Sequence, residues 1–526
     1  MKLDHIGIVV KDLEEAKNYY KNHYDFDDCS SIIDETTQNV KIIFIKVGFP
    51  ELPVIEIIQP INEKSPIYNF LKKTGGGLHH MAYEVENLDK SISHFKNLKS
   101  ITIGDIYSSA GHEGRRVIWF YTIFNEMIEL IEQKKSKCLI CGHSDFNDLI
   151  YFDKYPLYIG VLPPKLYEKV KNFPLKICQC KKCNHIQQMD RLSNEYKDIL
   201  YKNKYSELLS SVPTPSKTGI GKSECEKCFD FFKKCNLPHG NVLEIGCYDG
   251  YFLSLIKIDG YNVQGIDPNP ISKIAAEKYN IHIIKDFFSE KYFNKNTFDI
   301  IILRNILEHI DDLHNFIDDV NNILKPEGHI IIEVPNISFL LKKGALGCFF
   351  HQHSSYFSID VLIYFLSKHS LKYVNSYEEY AIYLCVKKIK DEEKQKIYIK
   401  NKNIEIKHYF LEYKKIKNDL IKILKKEDNI AIFGAGGHTT GLVHMLDNNI
   451  TNKIKYVYDN NVLKQCNYIA NIPVMIRSPE FIKKDNPNIL IISSYIYQSI
   501  ILKQIKKMKI DGLKIVTIYP TVKIYE

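Results

Sequence analysis

Four residues in the first quarter of the chain have the types and spacing to hold a divalent cation. His5 and His80 each open an apolar run, HIGIVV and HMAYEV, while Glu56 and Glu129 each lie inside another, VIEIIQ and MIELIE. A carboxylate on an apolar strand is costly to bury unless something pairs with it. Two such carboxylates and two imidazoles can share one cation. A second set is made of thiols: Cys138-x-x-Cys141, then Cys180-x-x-Cys183. Paired knuckles of this kind suit tetrahedral zinc, since each turn presents two thiolates. Cys178, His143 and His185 lie close enough in sequence to compete as ligands, but four thiolates are the simpler reading. A third feature is the glycine-bearing turn EIGCYDG at 244–250, which lets backbone approach a nucleotide-like ligand closely. A fourth is the dense polar cluster HQHSSYF at 351–357, between apolar runs. An imidazole there is suited to deprotonating a carbon acidified by a neighbouring carbonyl.

The elements that position these groups begin with an internal repeat. Residues 5–22 and 80–97 align without gaps, each as a short apolar strand followed by a helical pattern, and 54–59 and 127–132 match at nearly the same offset. The first part of the chain is therefore two copies of one βαβββ-like unit, with His5 and Glu56 in one copy and His80 and Glu129 in the other. His79 neighbours His80 and, by simple alternation, points to the opposite face of its strand. In the middle, NVLEIGCYDG runs into the helix YFLSLIKI. VQGIDPNP then ends a second strand at Asp267, where a carboxylate can accept both ribose hydroxyls. HIIKDFF places Asp286 after a third strand, near where an adenine amino group would lie, and FDIIILRNILEHIDD and LKPEGHIIIEVPN supply two more. Strands alternating with helices mean a doubly wound sheet. The last part repeats the theme: NIAIFGAGGHTTGLVHML is strand, glycine turn and helix, and KYVYDNN ends a strand at Asp459. A further pair, Cys225 and Cys228, lies in a stretch with aromatics at helix spacing and reads as helix rather than metal site.

These readings give a multidomain α/β and α+β chain in four parts: a paired βαβββ domain at 1–135, a small zinc module at 136–200, a doubly wound sheet at 201–395 and a Rossmann-like domain at 396–526. A net charge of +8 over 526 residues does not supply the concentrated basic face that nucleic acid needs. No apolar run reaches the ~18–20 residues of a membrane-spanning helix. Acidic residues follow the first apolar run at once, so the N-terminus does not read as a signal peptide, and the chain is expected in the cytoplasm. There, its thirteen cysteines are not expected to form disulfides.

Through LDHIGIVV, SPIYNFLKKTGGGLHHMAYEV and MIELIE the first domain resembles the vicinal oxygen chelate (glyoxalase) superfamily, and within it the methylmalonyl-CoA epimerases. The resemblance implies that His5, Glu56, His80 and Glu129 ligate a divalent metal of unstated identity. It also implies that the metal stabilises an enolate while carboxylates such as Glu129 move a proton. Glu35 is a further base candidate, against the plainer reading of an exposed loop acid. A domain that only binds a ligand or partner is the other possibility.

The ordered set of motifs in the middle resembles class I S-adenosylmethionine methyltransferases. A nicotinamide-binding domain would prefer G-x-G-x-x-G, whereas only Gly246 and Gly250 fall in this turn. The resemblance implies that Glu244, Gly246, Gly250, Asp267, Asp286 and Asn305 contact S-adenosylmethionine. The order of four-cysteine module, methyltransferase core and second α/β domain is similar to nucleotide-sugar C-methyltransferases, which methylate a sugar carbon beside a ketone. Their last domain helps hold the nucleotide sugar. By spacing alone it could bind NAD in this chain or be purely architectural. Where that family has Tyr-x-Glu-His, this chain has Phe350, His351, Gln352 and His353, so the His is kept and the Tyr and Glu are not. His353 is then the expected base, with His309 near the transferred methyl and Tyr356 orienting the substrate. The expected partner is a small molecule or nucleotide sugar, with no nucleic acid or membrane. An oxygen or nitrogen acceptor, which needs no base strong enough for a C–H bond, is the alternative chemistry.

Overall fold

A computed structural model describes residues 1–23, 28–46, 54–112, 114–133, 136–158, 160–167, 170–189, 219–345, 347–390, 403–494, 497–519 and 521–526. They fall into two compact units, Met1–Ser136 and Lys137–Glu526.

The first unit is one sheet folded from the two repeats. Strands β1 (Lys2–Val9), β2 (Asp28–Cys29), β3 (Ile33–Glu35), β4 (Val40–Lys46) and β5 (Val54–Pro60) come from the first copy, with helix Leu13–His23 after β1. The second copy supplies β6 (Gly77–Val85), β7 (Ile101–Ser109), β8 (Arg115–Tyr121) and β9 (Met127–Glu132), with helix Leu88–Asn97 after β6. The order is β2-β4-β5-β1-β6-β9-β8-β7, with β3 beside β4. In each copy the first strand runs parallel to the last, β1 with β5 and β6 with β9, and the two first strands meet antiparallel. Apolar faces of the two copies close separate small cores, one around Val9, Val40 and Ile58, the other around Leu88, Phe120 and Leu130.

This pairing lines up the four candidate ligands in two rows. Gly7 stands opposite Glu56 on one side and His80 on the other, and Ala82 stands opposite His5 and Glu129. The middle residue of each row is small, and for Gly7 this is obligatory: a Cβ there would lie 2.0 Å from the His80 ring. The register also slips at this point, because Gly7 pairs with His80 but Ile8 with Leu78. His79 is therefore the extra residue of a β-bulge, which breaks the alternation that had placed it on the opposite face.

The described residues of the second unit form three sheets. Strands β10 (Phe146–Pro156), β12 (Asn172–Cys180) and β13 (Ile186–Gln188) form an antiparallel sheet completed by β19 (Ser355–Tyr356), whereas β11 (Val161–Leu162) pairs elsewhere. The central sheet runs β16-β15-β14-β17-β18-β21-β20, from β14 (Asn241–Ile245), β15 (Asn262–Ile266), β16 (His282–Ile284), β17 (Phe298–Arg304), β18 (Leu324–Pro335), β20 (Leu371–Glu378) and β21 (Ala381–Lys388). Its first five strands are parallel, and β21 enters antiparallel to β18. Parallel strands covered on both faces read as unbroken apolar runs, and Ile300, Ile301, Ile302 and Leu303 of β17 are all fully buried. Helix Gly219–Lys234 packs one face of this sheet with Cys225, Cys228, Phe231 and Phe232 in the core, as the aromatic spacing predicts.

The last sheet is β24-β25-β23-β22-β26-β27-β28, from β22 (Ile430–Phe433), β23 (Ile454–Tyr458), β24 (Tyr468–Ile469), β25 (Ile472–Arg477), β26 (Ile489–Ile492), β27 (Lys514–Thr517) and β28 (Lys523–Tyr525), with β11 added beside β24. Its first helix, Gly437–Met445, comes close to the 347–358 segment: a Cβ on Gly347 would lie 2.3 Å from the Gly437 carbonyl oxygen. No helix among the described residues is long and apolar enough to cross a membrane.

Gly347 also has φ +69°, a backbone region that costs a residue with a Cβ about 1–2 kcal/mol. Gly347→Ala is expected to destabilise the second unit by about 2 kcal/mol or more, since strain and overlap with Gly437 combine. Urea unfolding of the full chain followed by near-ultraviolet circular dichroism measures this, and an unchanged midpoint would contradict the close approach.

Candidate functional sites

In the first unit the two rows converge on one buried point. The Nε2 atoms of His5 and His80 are 3.0 Å apart. Glu56 Oε2 lies 3.2 Å from His5 Nε2 and 3.4 Å from His80 Nε2, and Glu129 Oε2 lies 3.3 and 3.6 Å from the same atoms. Such spacings match the edges of a coordination shell with bonds of about 2.1 Å. Glu129 Oε2 has no hydrogen-bond partner although it is buried, as an atom shaped for a cation would be. The far ring nitrogens are held too: His5 Nδ1 is 2.9 Å from Asp4 and His80 Nδ1 is 3.1 Å from His79, the bulged residue. Such outer contacts fix the tautomer and ring orientation of metal-binding histidines. Burial opposes charge on His5, but the carboxylates of Glu56, Asp4 and Glu129 outweigh it and hold the imidazole well above its ordinary range. Burial likewise works against the charged form of Glu129, yet the imidazoles of His112 and His5 beside it hold its carboxyl below the usual range.

Two residues here differ from the sequence reading. His112, which sits in a loop with no periodic pattern, stacks on His5 with ring centres 5.2 Å apart and lies 3.5 Å from Glu129 Oε2. Glu35 is no exposed loop acid. It is 4% exposed on β3, where its Oε2 accepts hydrogen bonds from Ser109 Oγ at 2.9 Å and from the Ala110 and Gly111 amides. The turn that carries His112 is thereby tied to Glu35.

The four thiols of Cys138, Cys141, Cys180 and Cys183 lie within 4.8 Å of one another, and none forms a disulfide. The two knuckles have the same backbone form. Cys138 N donates to His143 O and Gly142 N to Cys138 O; Cys180 N donates to His185 O and Asn184 N to Cys180 O. Gly142 and Asn184 take positive φ at matching places. The alternative ligands point elsewhere: Cys178 Sγ donates to Asp148, and the His185 ring meets Ser355 Oγ at 3.1 Å.

In the central sheet the turn after β14 is shaped by its glycines. Gly246 and Gly250 have φ near +70°, and a Cβ on either would strike Ile306 or Ala275 at 2.2 Å. Glu244 is buried at the end of β14 with Oε2 unpartnered, and burial pushes its carboxyl up to about 8 although Arg304 lies 3.7 Å away. Asp267 directly follows β15 and accepts the Tyr248 and Asn269 amides at 2.8 and 2.7 Å, which closes the turn. Asp286 is exposed and contacts the Tyr292 hydroxyl, and Asn305 is exposed at φ +51° after β17. Arg304, which no motif marked, is buried against Glu333 at 2.6 Å and over the Phe252 ring.

A small cleft is lined by Glu308, Phe350, His353, Tyr356, Tyr380 and His438, among others. The His309 and His353 rings meet edge to face at 4.8 Å, and His309 Nδ1–H donates to the Gln352 carbonyl at 2.7 Å. Burial keeps His353 well below the ordinary histidine range, and His309 adds to the effect. His351 is structural: its ring bridges Gln188 and the Tyr155 carbonyl, both at 3.2 Å. The Tyr356 hydroxyl accepts from Phe350 N and donates to Phe350 O, so it braces the turn and has no proton left for a substrate. In the last sheet Asp459 is engaged by the Ala435 and Asn461 amides and by Lys464 Nζ at 3.2 Å.

Residues 4–119 match the Glyoxalase/Bleomycin resistance protein/Dioxygenase superfamily, residues 221–375 a methyltransferase domain, and residues 375–520 a C-methyltransferase C-terminal domain. C-methyltransferase NovU of Streptomyces niveus is 26% identical over 252 residues, which are 45% of this chain and 56% of NovU. An ethylmalonyl-CoA/methylmalonyl-CoA epimerase of Cereibacter sphaeroides is 32% identical over 134 residues, 25% of this chain and 97% of the epimerase. A solved methylmalonyl-CoA epimerase from Mycobacterium tuberculosis is 24% identical, with 25% of this chain and 88% of that one covered and a TM-score of 0.24. The chain spans between about half and two thirds of the length of the curated relatives it first matches. Through its first unit the chain belongs to the methylmalonyl-CoA epimerase family of the glyoxalase superfamily, and its second unit carries a methyltransferase domain followed by a C-methyltransferase C-terminal domain.

Proposed function

We propose that the second unit transfers a methyl group from S-adenosylmethionine to a carbon beside a carbonyl, on a nucleotide-linked keto-sugar, and that the first unit moves a proton beside a carbonyl with the help of a divalent cation. The observation that carries this reading is the cleft lined by His353 and Glu308, behind which the His309 ring meets that of His353 edge to face at 4.8 Å.

S-adenosylmethionine fits the residues of that turn. Gly246 and Gly250 allow close backbone approach, Glu244 offers an unpartnered buried oxygen, and Asp267 sits at the strand end where ribose hydroxyls are bound. Asp286 and Asn305 are accessible at the same sheet edge to the rest of the molecule. Bound there, S-adenosylmethionine supplies an electrophilic methyl group. His353 is neutral at pH 7 because burial opposes its charge, so its lone pair is available to take a proton from carbon. His309 is oriented by the Gln352 carbonyl, which fixes its tautomer. His438 brings the C-terminal domain to the cleft and is suited to hold the sugar nucleotide in place.

His5, Glu56, His80 and Glu129 would hold the divalent cation of the first unit, which would supply positive charge to substrate oxygens. Asp4 and His79 orient the two imidazoles, and Glu35 positions the loop that brings His112 to Glu129. The four thiols, within 4.8 Å of one another, would hold a structural zinc.

Two experiments test these assignments. The full chain treated with a mild chelator is expected to keep zinc and lose the other metal. Adding Co²⁺ or Mn²⁺ back at about 100 times its dissociation constant should then stabilise the first unit by about 2.7 kcal/mol. Gly7→Ala, which drives a methyl group into the His80 ring, should abolish that gain and leave zinc content unchanged. Metals leaving together, or a gain that survives in Gly7→Ala, would show that the sites are misassigned.

The second experiment supplies methyl-labelled S-adenosylmethionine and a panel of nucleotide-linked keto-sugars, then locates the label. Carbon-bound label next to the carbonyl is expected, and label on oxygen or nitrogen rejects the reading. Asp267→Ala should weaken S-adenosylmethionine binding by about 2–3 kcal/mol in calorimetry, as expected when charge-assisted hydrogen bonds are removed.

A further inference from the structure

Among the described residues that line the acceptor cleft, Glu308 brings the one carboxyl. It lies in the Leu307–His309 turn that follows β17, and this turn abuts the glycine turn, since a Cβ on Gly246 would meet Ile306. The side chain is 2% exposed and its Oε2 has no hydrogen-bond partner. A carboxylate oxygen of Glu308 and ring nitrogens of His309 and His353 lie within 4.8 Å of one another. His309 and His353 lie beside Glu308, Glu333 on β18 acts on it, and Cys348, Tyr356, Tyr380 between β20 and β21, and His438 on the Gly437–Met445 helix line the same cleft. Arg304, at the end of β17, is bound to Glu333 at 2.6 Å. Gln352, beside His353, is an amide and has no acidic proton to give.

A buried carboxyl without a cation keeps its proton. Burial, with Glu333 adding to it, pushes Glu308 up to about 8. A protonated carboxyl is a hydrogen-bond donor, and near pH 7 such an acid is matched to protonating a carbonyl oxygen as charge develops on it.

We propose that Glu308 is the catalytic acid of the acceptor cleft, giving its proton to the carbonyl oxygen of the acceptor while His353 takes the proton from the adjacent carbon. This rests on the methyl-transfer reading above. The C–H electron pair becomes the C=C bond, the C=O π pair takes the Glu308 proton, and an enol stands between a carboxylate and an imidazolium. When the carbon attacks the sulfonium methyl donor, the C=C pair forms the new C–C bond. The enol proton then returns to Glu308, and the thioether leaves neutral. One proton, on His353, passes to solvent.

The test uses the full chain, S-adenosylmethionine and whichever keto-sugar of the panel the wild type methylates. Glu308→Gln is expected to lower kcat at least about 100-fold, the lower range for loss of a general acid, with cofactor affinity unchanged. The wild-type kcat/KM should fall as pH rises through about 8, because the acid is present only below that value. This limb should vanish in Glu308→Gln. Should that variant not fold, Glu308→Asp carries the test, with a slower reaction and a displaced limb expected. A variant that keeps both the wild-type rate and the limb overturns the proposal and leaves the methyl-transfer reading standing. No methylation of any panel member by wild type overturns that reading and the proposal with it.

Discussion

A carboxylate withdrawn from water must be answered by a cation, by donors or by a proton, and the polar interior of this chain is organised by which answer each one receives. Glu56 and Glu129 are answered by imidazoles, which leaves the pair able to exchange those contacts for a metal. Glu333 is answered by Arg304, a close pair held by the Phe252 ring. Glu35 is answered by amide and hydroxyl donors of one turn. Glu308, and Glu244 with Arg304 no nearer than 3.7 Å, are answered by a proton, because burial raises both carboxyls to about 8.

Backbone geometry decides where those regions can form. In the first unit, pairing of the two repeats through β1 and β6 brings four side chains from four strands to one point, and it works only because Gly7 and Ala82 are small. In the second, the ends of β14, β15 and β17 share one edge of a parallel sheet, the place where ligands of open α/β sheets bind. Interlocking turns, with Gly246 against Ile306 and Gly347 against Gly437, then join that edge to the cleft and to the C-terminal domain.

Much of this is legible in the residues themselves. A Glu inside VIEIIQ or MIELIE stands out against its apolar neighbours, and the repeat pairs each with a His. Glu308 lies in an apolar run of the same kind, NILEHI, and the reasoning that marked Glu56 and Glu129 would have found it. His79 was misplaced because alternation assumes an unbroken pleat, and a bulge depends on pairing that a single strand does not display. His112 lies in the polar loop SAGHEG, where type and period carry no signal, and only Glu35 in another strand explains its position. Tyr356 looked free to meet a substrate, since nothing local reveals that Phe350 closes both sides of its hydroxyl. The knuckles were the easiest to read, because sequence-local turns impose their own geometry.

Strand β19 is shared property: Ser355 and Tyr356 pair with Ile186 and Gln187 of the knuckle sheet, only two residues beyond His353. Strand β11, between the knuckles, is likewise paired with β24 of the last sheet. The cysteine region is thus woven into the rest of its unit, whereas the first 136 residues form a contact-rich body of their own. Gene rearrangement would treat the two differently. The epimerase-like unit can be exchanged whole, but exchanging the knuckles alone would strip β19 of its partner strand in the methyltransferase domain.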